Sequence, residues 1–312
     1  MTGRERMLAA LRFEEPDRPP HFEIMFDLTE EAFGLSFPDW SAWSKATTAG
    51  AKDRLVGQCM RCYEKIVERY AWDALAVYYP WCDPDGVVAA KKTFGTDILI
   101  GSIVGNSIWS IECIKDWMAF SLRLVDEPES IIAEADAKHA AAITAIDRLI
   151  DAGADFIHIV NDIGFNGGTF ISPDDIRRFC FPYLRRQVAH VKARGAIPFI
   201  HTDGDIRNVL DDWIDLGAAC YQSVDPMAGM DIAEVKRRSR GRMALMGNVQ
   251  CSLLQDGPKE AIRASAEYCL THATPGGGFI YGSSNTIFKG LPLENYEYMV
   301  SVYRDFCTKR KG

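Results

Sequence analysis

A histidine and a carboxylate stand two residues apart at the end of a short apolar run. The run covers residues 196–200 and is followed by His201, Thr202, Asp203 and Gly204. Side chains at positions i and i+2 of an extended chain face the same side, so the imidazole and the carboxylate can converge on one atom. Imidazole nitrogen and carboxylate oxygen are both zinc ligands, and both groups can also move protons. This pair is therefore the first candidate for metal binding or catalysis.

Both residues have structural alternatives. His201 could be a histidine that only satisfies its own hydrogen bonds at a strand end. Asp203 could cap the helix that we expect to begin near Ile206, and Asp205 competes for the same role. The spacing by itself leaves these alternatives open.

Glu23 is our prediction for a third metal ligand. It lies in an extended run, residues 21–26, that follows Pro19 and Pro20. Period-2 alternation places Glu23 on the same face as His21, and we predict that this face points inward. The alternative is a glutamate that hydrogen-bonds within the neighbouring segment. Cys220 is the rival ligand, although its early position in a strand is more typical of a buried small residue.

Short apolar segments recur along the chain, and most are followed by a helical pattern. Eight of them are strand candidates, at residues 21–26, 74–79, 97–104, 155–160, 196–201, 218–225, 242–249 and 278–282. Such alternation predicts a parallel sheet, and eight units predict closure into a (β/α)8 barrel of the TIM type. Chemistry on these barrels is carried by the C-terminal ends of the strands, which is where His201 stands.

A long insertion separates the first two strand candidates. We predict a helix over residues 47–70, preceded by an aromatic stretch that contains Phe33, Phe37, Trp40 and Trp43. We expect this N-terminal extension to lie over the barrel mouth. No linker rich in proline, glycine or serine divides the chain, so residues 1–312 are predicted to form one domain.

Composition excludes several classes of function. Hydrophobic residues make up 47% and charged residues 25% of the 312 positions, which is typical of a globular protein with a sizeable core. The net charge of −8 argues against a nucleic-acid partner. No apolar run is long enough for a membrane span, and the N-terminus lacks the apolar segment of a signal peptide. We therefore expect a cytoplasmic protein.

The nine cysteines do not form a regular framework, and in a reducing compartment most are expected to be free thiols. Cys59 and Cys62 have the spacing of a Cys-x-x-Cys motif. A second pair that would complete a zinc site is missing, and the same spacing arises easily in a helix.

Five short motifs, in order along almost the whole chain, resemble the uroporphyrinogen decarboxylase superfamily. They are Arg6–Leu11 followed by Pro16–Pro20, Ile171–Pro173 followed by Phe181–Tyr183, His201–Gly204, Gly247–Val249, and Gly276–Phe279 followed by Glu294–Tyr296. The resemblance implies a (β/α)8 barrel. It also implies one of two activities, because the superfamily contains decarboxylases and corrinoid-dependent methyltransferases.

The chain departs from the decarboxylase branch at three positions. That branch holds its substrate carboxylates with an arginine-rich segment after the first strand, whereas residues 25–28 here contain no arginine. A tetrapyrrole with many carboxylates needs such cations. The family's catalytic aspartate aligns near Pro80, and its histidine after the eighth strand aligns with Ser283. These departures disfavour decarboxylation of a tetrapyrrole.

The methyltransferase branch carries His-x-Cys after the fifth strand and a further cysteine after the eighth, which together hold zinc. Here Asp203 and Ser283 occupy the two cysteine positions. Zinc with fewer thiolate ligands is a harder Lewis acid, better suited to an oxygen than to a thiol. The resemblance therefore implies an O-demethylase, which moves a methyl group from an aryl methyl ether to Co(I) of a separate corrinoid protein. The chain lacks an Asp-x-His-x-x-Gly corrinoid motif, so the partner must supply the corrinoid.

We assign the following roles on this basis. Zinc is held by His201, Asp203 and Glu23, and the catalytic residues are His201 and Asp162, the latter as a proton donor to the phenolate or a ligand of a ring hydroxyl. The expected substrate-binding residues are Asn166, Asn248, Ser283 and Tyr79. Asp162 could instead be a turn residue, and Asn248 and Ser283 could satisfy backbone groups.

Other functions remain open at this point. A metal-independent decarboxylase or lyase of a small carboxylate is the main alternative, and a non-catalytic barrel that docks corrinoid proteins is another. Methanol and methylamines are alternative methyl donors to a methoxylated aromatic. Family analogy also allows a homodimer.

Overall fold

Seven parallel strands form the central sheet in a computed structural model that describes residues 1–310. In chain order the strands are β1 (Ala74–Val77), β2 (Leu99–Gly105), β3 (Phe156–Val160), a small antiparallel hairpin of β4 (Gly164–Phe165) and β5 (Gly168–Thr169), then β6 (Ile197–Thr202), β7 (Cys220–Ser223), β8 (Ala244–Val249) and β9 (Phe279–Ser283). The order in the sheet is β1-β2-β3-β6-β7-β8-β9. Seven of the eight predicted strands are thus confirmed, and residues 311–312 of the predicted domain lie outside the described part.

Fourteen α-helices occur in residues 1–310 and accompany the sheet. They are α1 (Gly3–Leu11), α2 (Thr29–Phe33), α3 (Trp40–Lys45), α4 (Ala49–Tyr70), α5 (Pro84–Phe94), α6 (Trp117–Asp126), α7 (Pro128–Asp151), α8 (Pro173–Phe179), α9 (Phe181–Ala193), α10 (Leu210–Ile214), α11 (Ile232–Ser239), α12 (Cys251–Asp256), α13 (Lys259–Ala273) and α14 (Leu293–Lys309). Short 3-10 turns cover Ile111–Cys113 and Pro226–Ala228. None of these helices has the length and apolar character that a membrane crossing requires.

Burial explains the strand sequences. Every residue of β1, β7, β8 and β9 is buried, as expected for parallel strands that are covered on both faces. The long predicted helix is confirmed as α4, and the side chain of its N-cap Thr48 accepts a hydrogen bond from the backbone N–H of Ala51. Cys59 and Cys62 lie on its buried face. The Cys-x-x-Cys spacing therefore reflects a helix that packs on the core.

The predicted first strand, residues 21–26, is not part of the ladder. It makes isolated parallel bridges, His21 with Tyr281 and Phe26 with Ile287. The N–H of Asp73 donates to the carbonyl of His21 at 2.9 Å, so the segment runs between β9 and β1. Pro19 and Pro20 have no N–H to donate, which limits regular pairing at the start of the segment. Closure into an eight-stranded barrel therefore stays a prediction.

Two arginines anchor the N-terminal segment to β1. Arg6 Nη1 lies 2.5 Å from Asp73 Oδ1, and Arg18 Nη1 lies 2.6 Å from Asp73 Oδ2. The N–H of His21 donates to the same carboxylate at 2.8 Å, and Arg6 also pairs with Asp17. The Asp73 side chain is 2% exposed. Arg6, Asp17 and Arg18 belong to the motifs of the family resemblance. In the structure they form ion pairs that attach the N-terminal segment to the start of β1.

The aromatic extension contacts the loop after β1. Phe37 stacks on Tyr79 with ring centroids 4.2 Å apart, and the indole rings of Trp40 and Trp43 lie 5.1 and 6.3 Å from that of Trp81. The hydroxyl of Tyr63 on α4 accepts a hydrogen bond from the N–H of Tyr79. These contacts fix the extension against the C-terminal end of β1, while a lid role over the site remains a prediction.

Candidate functional site

His201 and two aspartates converge at the C-terminal ends of β3 and β6. His201 Nε2 lies 3.3 Å from Asp162 Oδ1 and 3.7 Å from Asp203 Oδ1. One ligand atom from each of the three residues fits within a span of 4.8 Å. Val160 at the end of β3 pairs with His201 in β6, so Asp162 and Asp203, each two residues further along its own chain segment, meet beside the imidazole. The structure thus brings together Asp162, His201 and Asp203, which the sequence analysis placed at or just after the ends of predicted strands.

Gln222 orients the imidazole from the neighbouring strand. It pairs with His201 across β6 and β7, and its Oε1 is in hydrogen-bond contact with His201 Nδ1. Its Nε2 donates to the carbonyl of Ser284 at 3.3 Å, which fixes which end of the amide is the oxygen. The Nδ1 of His201 therefore carries a proton, and Nε2 faces the carboxylates. A metal ligand histidine is commonly oriented in this way.

Both carboxylates are held by neighbouring groups. Asp203 Oδ1 accepts from the Ser223 hydroxyl at 2.6 Å, and its Oδ2 accepts from the Asn285 amide. Asp162 Oδ1 accepts from the N–H of Asp203 at 2.9 Å.

Gly204 has φ +87°, and a Cβ there would lie 2.1 Å from the backbone of Gly164. A glycine is required because the two loops touch at this point.

The three groups strongly affect one another's protonation. Burial lowers the pKa of His201, but the carboxylates of Asp203 and Asp162 outweigh that effect and raise it to about 9. Burial raises the pKa of Asp203. For Asp162, burial acts upward, and the interaction with His201 nonetheless holds the pKa well below its usual range. Such a site stabilises positive charge between two carboxylates, either on the imidazole or on a divalent cation.

The donor set fits a zinc ion. One imidazole nitrogen and two carboxylates are accepted zinc ligands, and the Nδ1 contact to Gln222 leaves Nε2 available for coordination. Asp162, which we predicted only as a catalytic residue, completes the set. The ion that such a site prefers is harder than the one preferred by cysteine ligands.

A cavity of about 640 Å³ opens beside Asp203. It is lined by Gly164, Phe165, Asn166, Asp203, Gly204, Asp225, Met227, Cys251, Ser252, Gln255, Ser284, Asn285 and Phe288. Its position at the strand ends is where barrel enzymes bind substrates. Of the predicted substrate-binding residues, Asn166 lines this cavity. Within residues 1–310, no lysine or arginine does so.

Glu23 does not join the ligand group, because its carboxylate is bound to Ser283 at the end of β9. His21, which we predicted to share a face with Glu23, packs on Tyr303 of α14 with ring centroids 5.3 Å apart. Glu23 Oε2 accepts from the N–H and the hydroxyl of Ser283 at 2.9 and 2.7 Å. Burial raises the Glu23 pKa to about 8. The segment bends at Ile24, and His21 and Phe26, which strict alternation puts on opposite faces, both pack on α14, so period-2 alternation does not hold along residues 21–26.

The remaining predicted residues lie away from the cavity lining. Ser283 is fully buried against Glu23, whereas the next residue, Ser284, lines the cavity. Asn248 donates through Nδ2 to the carbonyl of Val224 at 2.8 Å. The Tyr79 hydroxyl donates to Asp27 at 3.2 Å. Cys220, the rival ligand, is fully buried in β7, two positions before Gln222.

Several residues of the site were missed from the sequence. Gln222, Ser223 and Asp225 all come from the end of β7, and the strand prediction over residues 218–225 contained them. Pairing the seven strand ends in order would have placed Gln222 beside His201. Asn285 comes from the loop after β9, for which the sequence gives no comparable signal.

Comparisons with known proteins identify the family. The uroporphyrinogen decarboxylase (URO-D) family model matches residues 99–306, so the chain belongs to this family and the resemblance seen in the motifs is confirmed. A methyltransferase structure from Methanosarcina mazei superimposes with a TM-score of 0.76 over 98% of this chain and 99% of that chain, at 19% identity. That likeness shows the shared fold.

Relatives come from both branches of the family. The methylcobamide:CoM methyltransferase MtaA of Methanosarcina barkeri is 27% identical over 71% of this chain and 62% of its own length. The uroporphyrinogen decarboxylase of Anaeromyxobacter dehalogenans is 30% identical over 76% of this chain and 68% of its own length. The match to the Chlorobium limicola decarboxylase spans 44% of that protein. Similarity to these relatives therefore does not by itself distinguish the two activities.

Proposed function

We propose that this chain transfers a methyl group from a small aryl methyl ether to Co(I) of a corrinoid carried by a separate protein. The observation that supports this most is the triad of Asp162, His201 and Asp203 at the edge of the cavity. In place of the thiolates of the methyltransferase branch, these ligands are oxygen-rich and suit activation of an ether oxygen. The methyltransferase relative and the methyltransferase fold neighbour support the same branch.

Zinc bound by His201, Asp203 and Asp162 would supply a Lewis acid for the ether oxygen. The chain's own residues have separate tasks. Gln222 holds His201 in one tautomer, and Ser223 with Asn285 holds Asp203. Because these contacts are present before a substrate arrives, little reorganisation is needed when charge develops on the leaving oxygen.

The rest of the machinery belongs to the same proposal. Asn166 would hydrogen-bond the substrate from the cavity wall, whereas the predicted substrate contacts of Asn248, Ser283 and Tyr79 would require a movement toward the cavity. The N-terminal extension would act as a cover over the mouth. Residues 21–26 would take the place of the eighth strand in a single domain, and a homodimer in the cytoplasm is the expected form.

A metal-independent decarboxylase or lyase of a small carboxylate is the second candidate. The decarboxylase relatives favour it. The cavity lining disfavours it, because carboxylate substrates are usually held by arginine or lysine. Among the described residues, no arginine or lysine lines the cavity.

The test is an anaerobic assay with a Co(I) corrinoid protein and a methoxylated phenol. Formation of methyl-Co(III), followed by absorbance, together with release of the demethylated phenol supports the proposal. His201→Ala should abolish the reaction, and Glu267→Gln on the exposed surface of α13 is the matched control. Carbon dioxide release from a small carboxylate, with no methyl transfer, would establish the second candidate instead.

A further inference from the structure

The cavity beside the triad is acidic. Asp203 and Asp225 both line it, and its other polar lining residues are uncharged, for example Asn166, Gln255 and Asn285. A divalent ion held by Asp162 and Asp203 would offset their charges. Asp225 lies outside that ligand group, so its charge stays in the wall.

Asp225 is held by backbone groups and lacks a cationic partner. Its Oδ2 accepts from the N–H of Gly204 at 3.1 Å, and its Oδ1 accepts from the N–H of Met227 at 2.9 Å. The residue is 8% exposed, and no ion pair forms to it within residues 1–310. Two backbone N–H groups fix where the carboxylate points but do not cancel its charge.

The negative field reaches other groups of the wall. Burial raises the pKa of the Cys251 thiol to about 12, and nearby carboxylates, Asp203 and Asp225 among them, add to that effect. In a partly buried site, charges are screened less than in water, so a second anion that enters such a cavity is repelled. An uncharged ligand meets no such barrier.

Aromatic side chains border the same space. Phe165 and Phe288 both line the cavity, and Phe165 is 52% exposed at its edge. A flat ring can pack on such surfaces, and a cavity of about 640 Å³ is in the size range of small-molecule sites. Shape and charge together thus favour an aromatic ligand that lacks a carboxylate.

We propose that the methyl donor of this chain bears no anionic group, and that Asp225 is the specificity-determining residue that excludes carboxylated methoxyarenes. This inference rests on the proposed function, since it concerns the donor of that reaction. It separates uncharged methoxyphenols from methoxybenzoates, which differ by one carboxylate.

Three probes with the same methoxyphenol ring test the inference directly. They are 4-hydroxy-3-methoxybenzoate, 2-methoxyphenol and 4-(aminomethyl)-2-methoxyphenol, which carry a negative, no and a positive charge. Titration calorimetry on the full chain, loaded with zinc, should show that the benzoate binds about tenfold more weakly than 2-methoxyphenol. The aminomethyl compound should bind at least as well as 2-methoxyphenol.

Variants locate the effect. Asp225→Asn keeps the hydrogen-bonding geometry of a capping residue and should reduce the preference against the benzoate at least about threefold, while Asp174→Asn on the surface makes the same charge change and should leave the preference unchanged. Gln255→Lys places a cation in the cavity lining and should improve benzoate binding, with Gln255→Met as its uncharged control. Thermal unfolding of each variant shows that it is folded.

The outcomes separate this inference from the proposed function. Equal binding of the three probes to the wild-type protein, or a charge preference that Asp225→Asn does not change, would overturn the inference even if methyl transfer occurs. The predicted charge order without any methyl transfer would support the assignment of Asp225 and contradict the proposed reaction. Binding of none of the probes would overturn both.

Discussion

The imidazole of His201 and the side-chain amide of Gln222 are hydrogen-bonded across the neighbouring strands β6 and β7. The contact leaves Nε2 of His201 directed at Asp162 and Asp203. A side chain that touches neither substrate nor ion thereby decides what the histidine can do. Gln222 is a positioning residue for this reason.

We expect Gln222→Leu to weaken zinc binding by about 10- to 100-fold, the usual effect of losing the partner that orients a ligand histidine. Competition against a chelating dye measures the affinity. Gln222→Glu keeps an acceptor oxygen next to Nδ1 and should retain most of the affinity. Equal losses in the two variants would show that the role of Gln222 is not the orientation of His201.

Asp73 is predicted to be a stability residue. Its buried carboxylate accepts from Arg6, Arg18 and the N–H of His21. Asp73→Ala leaves Arg18 without its carboxylate partner and Arg6 with Asp17 alone, and should lower the free energy of unfolding by about 3–5 kcal/mol, as measured by urea denaturation. Asp17→Ala is the comparison, because Asp17 is 37% exposed and should cost about 1 kcal/mol or less. Similar losses for both would contradict this view of the network.

Glu23 should make stability depend on pH. Its pKa is raised by burial from 4.5 to about 8, and the Ser283 contacts only partly oppose this. Between these values the folded state holds a proton that the unfolded state releases, so the contribution is fully present below pH 4.5 and is lost as pH rises through about 8. Glu23→Gln removes this dependence. At pH above about 8 the variant should be more stable than wild type by a few kcal/mol, on the order of 1.4 per pKa unit, whereas near pH 4.5 the two should have similar stability.

Unfolding in urea at pH 5 and pH 8.5 measures this difference. A Glu267→Gln variant, with an exposed carboxylate, should track the wild-type protein at both values. A Glu23→Gln effect of the same size at both pH values would show that Glu23 does not titrate in this range.

Cys59 and Cys62 should be unreactive in the native protein. Burial raises the pKa values of their thiols to about 12 and about 11, and thiolate is the reactive form. With a disulfide reagent at pH 8, a Cys59→Ser/Cys62→Ser variant should therefore lose no fast-reacting thiol relative to wild type. Loss of two fast thiols in that variant would instead indicate an accessible redox pair.

The sequence predicted the seven ladder strands because buried parallel strands have continuous apolar runs that end at polar residues. The same logic placed His201, Asp203 and Asp162 at strand ends, where they meet. It failed for Glu23, because residues 21–26 do not form a regular strand: His21 and Phe26 both pack on α14, although alternation puts them on opposite faces.

Ser283 and Ser284 illustrate a second limit. A shift of one residue at a strand end exchanges the interior and the exterior side chain, and motif alignment by hand does not resolve one residue. The predicted Ser283 lies against Glu23, and Ser284 lines the cavity. The contact between His201 and Gln222 depends on strand register, which the sequence alone did not define.

The metal content of the purified chain tests the central claim most directly. We expect about one zinc per chain by elemental mass spectrometry in the wild-type protein and in Glu23→Gln, and loss of zinc in His201→Ala, Asp203→Ala and Asp162→Ala. The Glu23 variant separates the ligand set seen in the structure from the one predicted from the sequence. A wild-type protein that takes up no metal after zinc addition, or triad variants that keep it, would contradict the account.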